Sequence, residues 1–300
     1  MLTRELMEEV RRLQIRTRRR VDDLFAGEYH SAFLGKGIEF AEVREYMPGD
    51  DVRAIDWNVT ARAGKPFIKR YIEERQLTVM LCVDTSASGL FGTVAKTKHR
   101  LIAETGAAIA YTALRNNDRV GMMNFSDEIG LYLPPKKGQR HMLRMLRELL
   151  GAEPSGAGTA FAESLETLGS VLHQRSIVFI ASDFQAPAGR SIESLSRPLA
   201  VLSRRHDVIA LRANDPREES LPNVGLVELQ DPETGERVLF DTGSRRLRKR
   251  HAEMAGARKA ESDRLLARTG VDTIDLSTAR PFGLALEHYF RMRDRRRARG

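Results

Sequence analysis

The segment Asp84-Thr85-Ser86-Ala87-Ser88-Gly89 sets a carboxylate and two hydroxyls at every second position. The run before it, Leu77-Thr78-Val79-Met80-Leu81-Cys82-Val83, is nearly all apolar, so these oxygens stand where a buried strand ends. A loop turning away from that end can point all three inward. Carboxylate and hydroxyl oxygens, with no nitrogen or sulfur among them, suit a hard cation such as Mg2+ and not Zn2+. Such an ion wants more ligands than one loop supplies. Two other stretches offer them. Ser155-Gly156-Ala157-Gly158-Thr159 is a glycine-rich turn ending on a hydroxyl at a helix start, and Ser182-Asp183 follows a second apolar run, 177–181. Taken singly, Ser86 and Ser88 would be helix caps, Thr159 another cap and Asp183 a turn residue. Taken together, on the same sheet edge and in one chain order, they favour one metal site of Asp84, Ser86, Ser88, Thr159 and Asp183.

The elements that must carry these loops follow from periodicity and punctuation. Widely spaced apolar positions in a charged segment predict a helix over 3–24. Two short alternating stretches, 38–46 and 66–73, read as strands around an irregular, glycine-rich connection. From residue 77 the pattern alternates. Strands are expected at 77–83, 119–125, 177–181, 207–211 and 271–275, with 129–133 folding back on the second of them as a hairpin. Helices are expected at 96–114, 138–150, 159–172, 191–203, 243–268 and 282–293, and a small hairpin at 225–230 and 237–240. Gly106, Ala107, Ala108 and Ala110 would let the first of those helices lie close to a sheet. This alternation predicts an α/β fold, a doubly wound and mostly parallel sheet, whose ligand sites lie at the carboxyl ends of the strands. The domains read as 1–75, an N-terminal helix and small β extension packed on the core; 76–292, the sheet domain; and 293–300, a basic tail.

Composition narrows the function. With 41% hydrophobic and 30% charged residues the chain is globular in type. Cys82 is the single cysteine, which excludes an internal disulfide and thiolate metal sites. The charged N-terminus lacks the apolar stretch of a signal peptide, and no window is apolar enough to span a bilayer, so the cytoplasm is the expected location. The net charge of +8 is concentrated at the ends: residues 1–20 carry seven Arg and three Glu, and residues 291–300 six Arg and one Asp. Solvated ends are the simpler reading of that charge. Enzyme classes find little support. No Lys precedes Thr159 as a phosphate loop requires, no G-x-G-x-x-G opens the first core helix, and no His is placed to serve Ser88 or Ser182 as a base.

A second region draws notice for its charges. Glu45, Asp50, Asp51 and Asp56 are interspersed with Arg44, Arg53 and Arg62, which favours ion pairing over a catalytic acidic cluster. Trp57 is expected to be an anchor packed in the core.

These residues carry two resemblances. Asp84, Ser86 and Ser88, then Thr159, then Asp183, resemble the metal-ion-dependent adhesion site of von Willebrand factor A domains, with all five positions filled. The stretch Arg44-Glu45-Tyr46-Met47-Pro48-Gly49-Asp50-Asp51-Val52-Arg53-Ala54-Ile55-Asp56-Trp57-Asn58 resembles the signature of the bacterial domain-of-unknown-function-58 family. So do Gly35-Lys36-Gly37-Ile38-Glu39-Phe40 before it and Thr60-Ala61-Arg62 and Asp118-Arg119-Val120-Gly121 after it. The resemblance implies a von Willebrand factor A-like domain with Rossmann-type layering. It implies that Ser86 and Ser88 bind Mg2+ directly, that Asp84 and Asp183 supply charge, partly through water, and that Thr159 binds directly or through water, with Mn2+ or Ca2+ able to replace Mg2+. One position would stay open to a Glu or Asp of a partner. It further implies a non-enzymatic adaptor of a MoxR-type AAA+ ATPase, since family members are commonly encoded beside one. The alternatives are a metal-dependent phosphoesterase, and association with nucleic acid or an anionic membrane through the basic ends.

Overall fold

The apolar runs that end in the candidate ligands lie side by side in a six-stranded sheet. The computed structural model describes residues 29, 33, 39–72, 76–94, 96–152, 160–185, 191–230 and 235–297. The helix expected over 3–24 lies outside these residues. The chain divides into two compact units, residues 33–77 and residues 78–300 together with 1–32. The sequence groups residues 1–75 as one N-terminal domain. Tyr29, though, belongs to the larger unit, where it is buried edge-on against Phe290 at 5.9 Å.

In the smaller unit, β1 (Glu39–Glu45) leads through a 3-10 turn (Val52–Ala54) and helix α1 (Trp57–Ala63) to β2 (Phe67–Ile72). The two strands pair antiparallel, with an irregularity between Phe40 and Glu42. Side chains of the charged signature hold the connection. Arg44 binds Asp50 through both terminal nitrogens, at 2.9 and 2.7 Å, a planar fork on a carboxylate. Asp51 caps the 3-10 turn, and Asp56 caps α1 by accepting from the amides of Asn58 and Val59. Gly64 ends the helix at φ +70°, a left-handed conformation that glycine adopts at no steric cost. The acids are thus used in pairing and capping. Trp57 departs from expectation: it is 68% exposed. It is the first residue of a helix none of whose residues is buried, so its position after the cap turns it to solvent.

The larger unit holds the sheet. Its elements run β3 (Thr78–Asp84), α2 (Lys98–Arg115), β4 (Arg119–Phe125), β5 (Ile129–Lys136), α3 (Gln139–Gly151), α4 (Phe161–Val171), β6 (Ile177–Ser182), α5 (Ser196–Arg205) and β7 (Asp207–Asn214). They continue through the short α6 (Pro216–Glu219), hairpin β8 (Leu226–Gln230) and β9 (Arg237–Asp241), α7 (Arg245–Arg268), β10 (Asp272–Ser277) and α8 (Phe282–Arg297). The sheet order is β10-β7-β6-β3-β4-β5. Five strands are parallel and β5 returns antiparallel at the edge. The fold is therefore the expected doubly wound, mostly parallel α/β sheet. From β3 the chain winds outward through β4 and β5, then crosses back and winds the other way through β6, β7 and β10. The order reverses between β3 and β6, and the crevice at such a reversal is where open α/β sheets bind ligands.

Packing fixes these strands. One face buries Met80, Cys82, Met123, Val178 and Ile180 beneath Leu165, Leu168, Leu199, Leu202, Leu265 and Leu266 of α4, α5 and α7. On α2, Ala103, Ala107 and Ala110 are fully buried. A Cβ on Gly106 would stand 3.2 Å from Leu149 Cδ2 and 3.4 Å from Leu81 Cδ1, which shows how closely this helix lies on its neighbours. The basic tail expected from residue 293 starts as helix. Arg293 pairs with Asp207 and Asp272, and Arg296 with Asp272. Those aspartates open β7 and β10, so this part of the terminal charge fastens α8 to the sheet. No helix among the described residues is long and apolar enough to cross a membrane.

Two substitutions check this packing. A Cβ on Gly121 would meet Leu133 O and Pro135 N, each at 2.8 Å. Backbone cannot withdraw as a side-chain tip can, so Gly121→Ala should lower unfolding stability by roughly 1–3 kcal/mol. Trp57→Ala should change it by less than about 0.5 kcal/mol. Chemical denaturation of both variants measures this; a large loss from Trp57→Ala would show that the ring is buried.

Candidate metal centre

β3 delivers Asp84 to the sheet end, and β4 holds the loop that follows. The Thr85 amide and hydroxyl both donate to Phe125 O, at 2.7 and 3.0 Å. The chain then turns through Ala87–Leu90, and the Ser86 amide donates to Asp84 Oδ1 at 2.9 Å. Ser86 Oγ and Ser88 Oγ lie 3.0 Å apart. The side-chain oxygens of Asp84, Ser86 and Ser88 are thus gathered in this loop.

The second loop is joined to the first through Ser182. Its hydroxyl donates to Asp84 Oδ2 at 2.7 Å and accepts from the Phe184 amide at 3.1 Å. Phe184 sits at φ +53°, a left-handed conformation that a bulky residue rarely adopts. Packing holds it there: it is buried against Phe161, with ring centroids 5.5 Å apart, and Phe161 in turn packs on Phe125 at 4.8 Å. This row of rings joins the end of β4, the start of α4 and the loop after β6. Thr159 lies outside the described residues. The next two residues, Ala160 and Phe161, are anchored beside β4, with the Ala160 amide donating to Ser126 O at 2.6 Å.

Asp183 brings a partner that no motif announces. Its Oδ2 accepts from Lys98 Nζ at 2.7 Å, and Lys98 also reaches Glu218 Oε1 at 2.6 Å. Glu218 forms a capping box with Asp215. Asp215 is fully buried and binds the Thr93 amide and hydroxyl at 2.9 and 2.6 Å and the Thr278 hydroxyl at 2.6 Å. One polar network therefore links Asp183 to the segments that follow β3, β7 and β10.

The electrostatics follow from burial. Asp84 is pushed up to about 6, first by burial and then by the charge of Asp183, against the hydrogen bonds from Ser182 and Ser86. Burial also opposes the Lys98 charge, but Asp183 and Glu218 outweigh it and raise its pKa. Burial raises Glu218, with Lys98 acting against the shift. Asp215 shifts the other way: burial would raise it, but hydrogen bonds from Thr278 and Thr93 hold it low. Cys82, two residues before Asp84, is raised by burial and by Asp84, so its thiol stays protonated and inert.

Among the described residues no group of three or more His, Cys, Asp and Glu could hold a metal, so an ion here would depend on the hydroxyls of Ser86 and Ser88. The donors are all oxygens, and Asp84 and Asp183 repel each other. A hard divalent cation meets both conditions. Beside Asp183 a cleft opens, lined by Phe184, Asn214, Glu218, Arg258 and Lys259.

Comparison with known proteins agrees with the signature around residues 44–62. The family described as "Protein of unknown function DUF58" matches residues 42–261, and the chain belongs to that family. The uncharacterised protein Rv1480 of Mycobacterium tuberculosis is 33% identical over 278 residues, covering 92% of this chain and 86% of its own length. YeaD of Bacillus subtilis is 29% identical over 129 residues, 43% of this chain and 30% of that protein. Among solved structures, an aerotolerance-related membrane protein of Bacteroides fragilis aligns with a TM-score of 0.48 at 12% identity, over 73% of this chain and 99% of that one. A von Willebrand factor type A protein of Catenulispora acidiphila aligns with a TM-score of 0.40 at 12% identity, over 75% and 43%.

The charge on Asp84 predicts a pH dependence. Its pKa is about 6 in the folded chain against an ordinary 3.8, so between those values the folded state holds a proton that the unfolded chain has released. Metal-free stability should therefore fall as pH rises from about 4 to 6, by up to roughly 3 kcal/mol, and stay lower above 6. Asp84→Asn removes the penalty. In EDTA its melting temperature should exceed wild type at pH 7.5, and the gap should close towards pH 4. A gap that stays constant or widens at low pH contradicts this account.

Proposed function

We propose that this member of the DUF58 family is a Mg2+-dependent protein-interaction module, an adaptor and not an enzyme. The observation that carries the reading is the gathering of Asp84, Ser86 and Ser88 with the Ser182-Asp183 loop at the reversal point of the sheet. In this reading Ser86 and Ser88 hold Mg2+ through their hydroxyls. Asp84 and Asp183 balance its charge, and Thr159 contributes from the loop before α4. Mn2+ or Ca2+ can stand in its place. The bound ion supplies one thing the chain lacks, an open position for a foreign carboxylate. Arg258 lines the cleft among Asp183, Glu218 and Glu219 and offers a positive charge to an acidic incoming group, while Lys259 beside it is paired with Asp275.

The partner in this reading is a MoxR-type AAA+ ATPase offering a Glu or Asp. That choice rests on the family resemblance and on the absence from the sequence of any phosphate-loop motif of its own. ATP hydrolysis would belong to the ring, and recognition of a target or a state to this chain. The strained Phe184 and the ring contacts to Phe161 supply a route by which a shift at the site could move α4.

Direct binding tests the assignment. A purified MoxR-type ATPase from the same genome should bind the full chain in Mg2+ and weaken by roughly tenfold or more in EDTA. Asp84→Ala and Ser86→Ala should weaken it similarly in Mg2+ while keeping wild-type circular dichroism. Equal binding in all conditions would move the contact away from the metal site. Mg2+-dependent turnover of phosphoesters that disappears with Asp84→Ala would replace the adaptor with a hydrolase.

A further inference from the structure

Lys98 stands in an unfavourable place twice over. It is the first residue of α2, where a positive charge meets the positive end of the helix dipole. Its side chain is also only 2% exposed, and burying an ammonium is costly unless it is fully paired. What compensates is Asp183 Oδ2 at 2.7 Å and Glu218 Oε1 at 2.6 Å, with the ring of Phe91 a further 6.0 Å neighbour. The carboxylate it pairs with, Asp183, is one of the five candidate ligands.

Resting on the reading of the site as a divalent-metal centre, we propose that Lys98 is a positioning residue that sets its metal affinity by holding Asp183 in an ion pair the metal has to share. The charge count shows what this does. Asp84, Asp183 and Glu218 bring three negative charges and Lys98 one positive, which leaves two to face a divalent ion. Without Lys98 the site would carry three and would grip the ion harder, while the metal-free chain would hold buried carboxylates with no counter-ion. Without the charge of Glu218 it would carry one. Lys98 therefore keeps the empty site stable and the filled site exchangeable, as a site that answers to a partner's carboxylate needs to be. Glu218 ties the adjustment to the rest of the sheet end, because its capping partner Asp215 holds Thr93 and Thr278.

Opposite signs make the test specific. Mg2+ binding to the full chain is measured by titration calorimetry for wild type, Lys98→Met, Glu218→Gln and Asp84→Ala, alongside melting temperatures in EDTA. Lys98→Met should bind Mg2+ about tenfold more tightly, melt lower in EDTA and gain more from Mg2+ than wild type does. Glu218→Gln should bind about tenfold more weakly. If Lys98→Met does not fold, Lys98→Gln, which keeps a donor for Asp183 without its charge, carries the same prediction. A purely structural Lys98 would lower stability equally with and without Mg2+ and leave affinity unchanged. Binding by wild type with no gain in the Lys98 variants overturns this inference and leaves the metal centre standing. No Mg2+ uptake by wild type, with Asp84→Ala indistinguishable from it, overturns the metal centre and this inference together.

Discussion

A carboxylate at the end of a buried parallel strand has to find compensation, and much of this sheet end is arranged to supply it. Asp84 closes β3 at 7% exposure, between strands that bury almost every other residue. Hydrogen bonds from Ser86 and Ser182 satisfy its oxygens but do not cancel its charge. Asp183, on the adjoining strand end, adds a second negative charge. Lys98 answers that one, at the cost of a buried ammonium that then requires Glu218. Glu218 requires its own cap, and Asp215 provides it while binding Thr93 and Thr278. Each link exists because the previous one would be an unpaired buried charge. Asp84 is left last, its pKa raised first by burial and then by Asp183, and a divalent ion would relieve that penalty.

Topology explains why the charges meet. The reversal of winding between β3 and β6 leaves no crossover helix above that pair of strand ends, so their loops open into a crevice. Phe125, Phe161 and Phe184 form the apolar floor of the same region. The left-handed backbone of Phe184 is the strained step that directs Ser182 and Asp183 as they leave β6, and its burial between rings is what sustains the strain. A small rigid floor below and a polar network around the rim hold the oxygen donors without a long loop.

The sheet was legible in the sequence because its central strands are short continuous apolar runs, and a run such as 77–83 has few other ways to be buried. The alternation of Asp84, Ser86 and Ser88 was legible for the same reason, since it begins where that run ends. Lys98 was not, because its partners are 85 and 120 residues away in sequence. A lysine at the first position of a helix was the available sign, since charge of that sign is disfavoured there. Asp215-Pro216-Arg217-Glu218 was also readable as a capping box with proline at the first helical position, which would have marked α6. Trp57 misled because size and rarity suggest burial, whereas the small unit around it has little interior to offer. The arginines near the C-terminus misled because composition does not reveal that Asp207 and Asp272 wait at the starts of β7 and β10.

The account stands on one ion at one place. Crystals of the full chain soaked in Mn2+ and measured at its absorption edge locate that ion directly by anomalous scattering. The account predicts a single strong peak coordinated by Ser86 Oγ and Ser88 Oγ, with Asp84, Asp183 and Thr159 around it, and no peak there in Asp84→Ala. Crystals of wild type that show no anomalous peak at the ends of β3 and β6, at Mn2+ concentrations well above those a Mg2+ site requires, would contradict it.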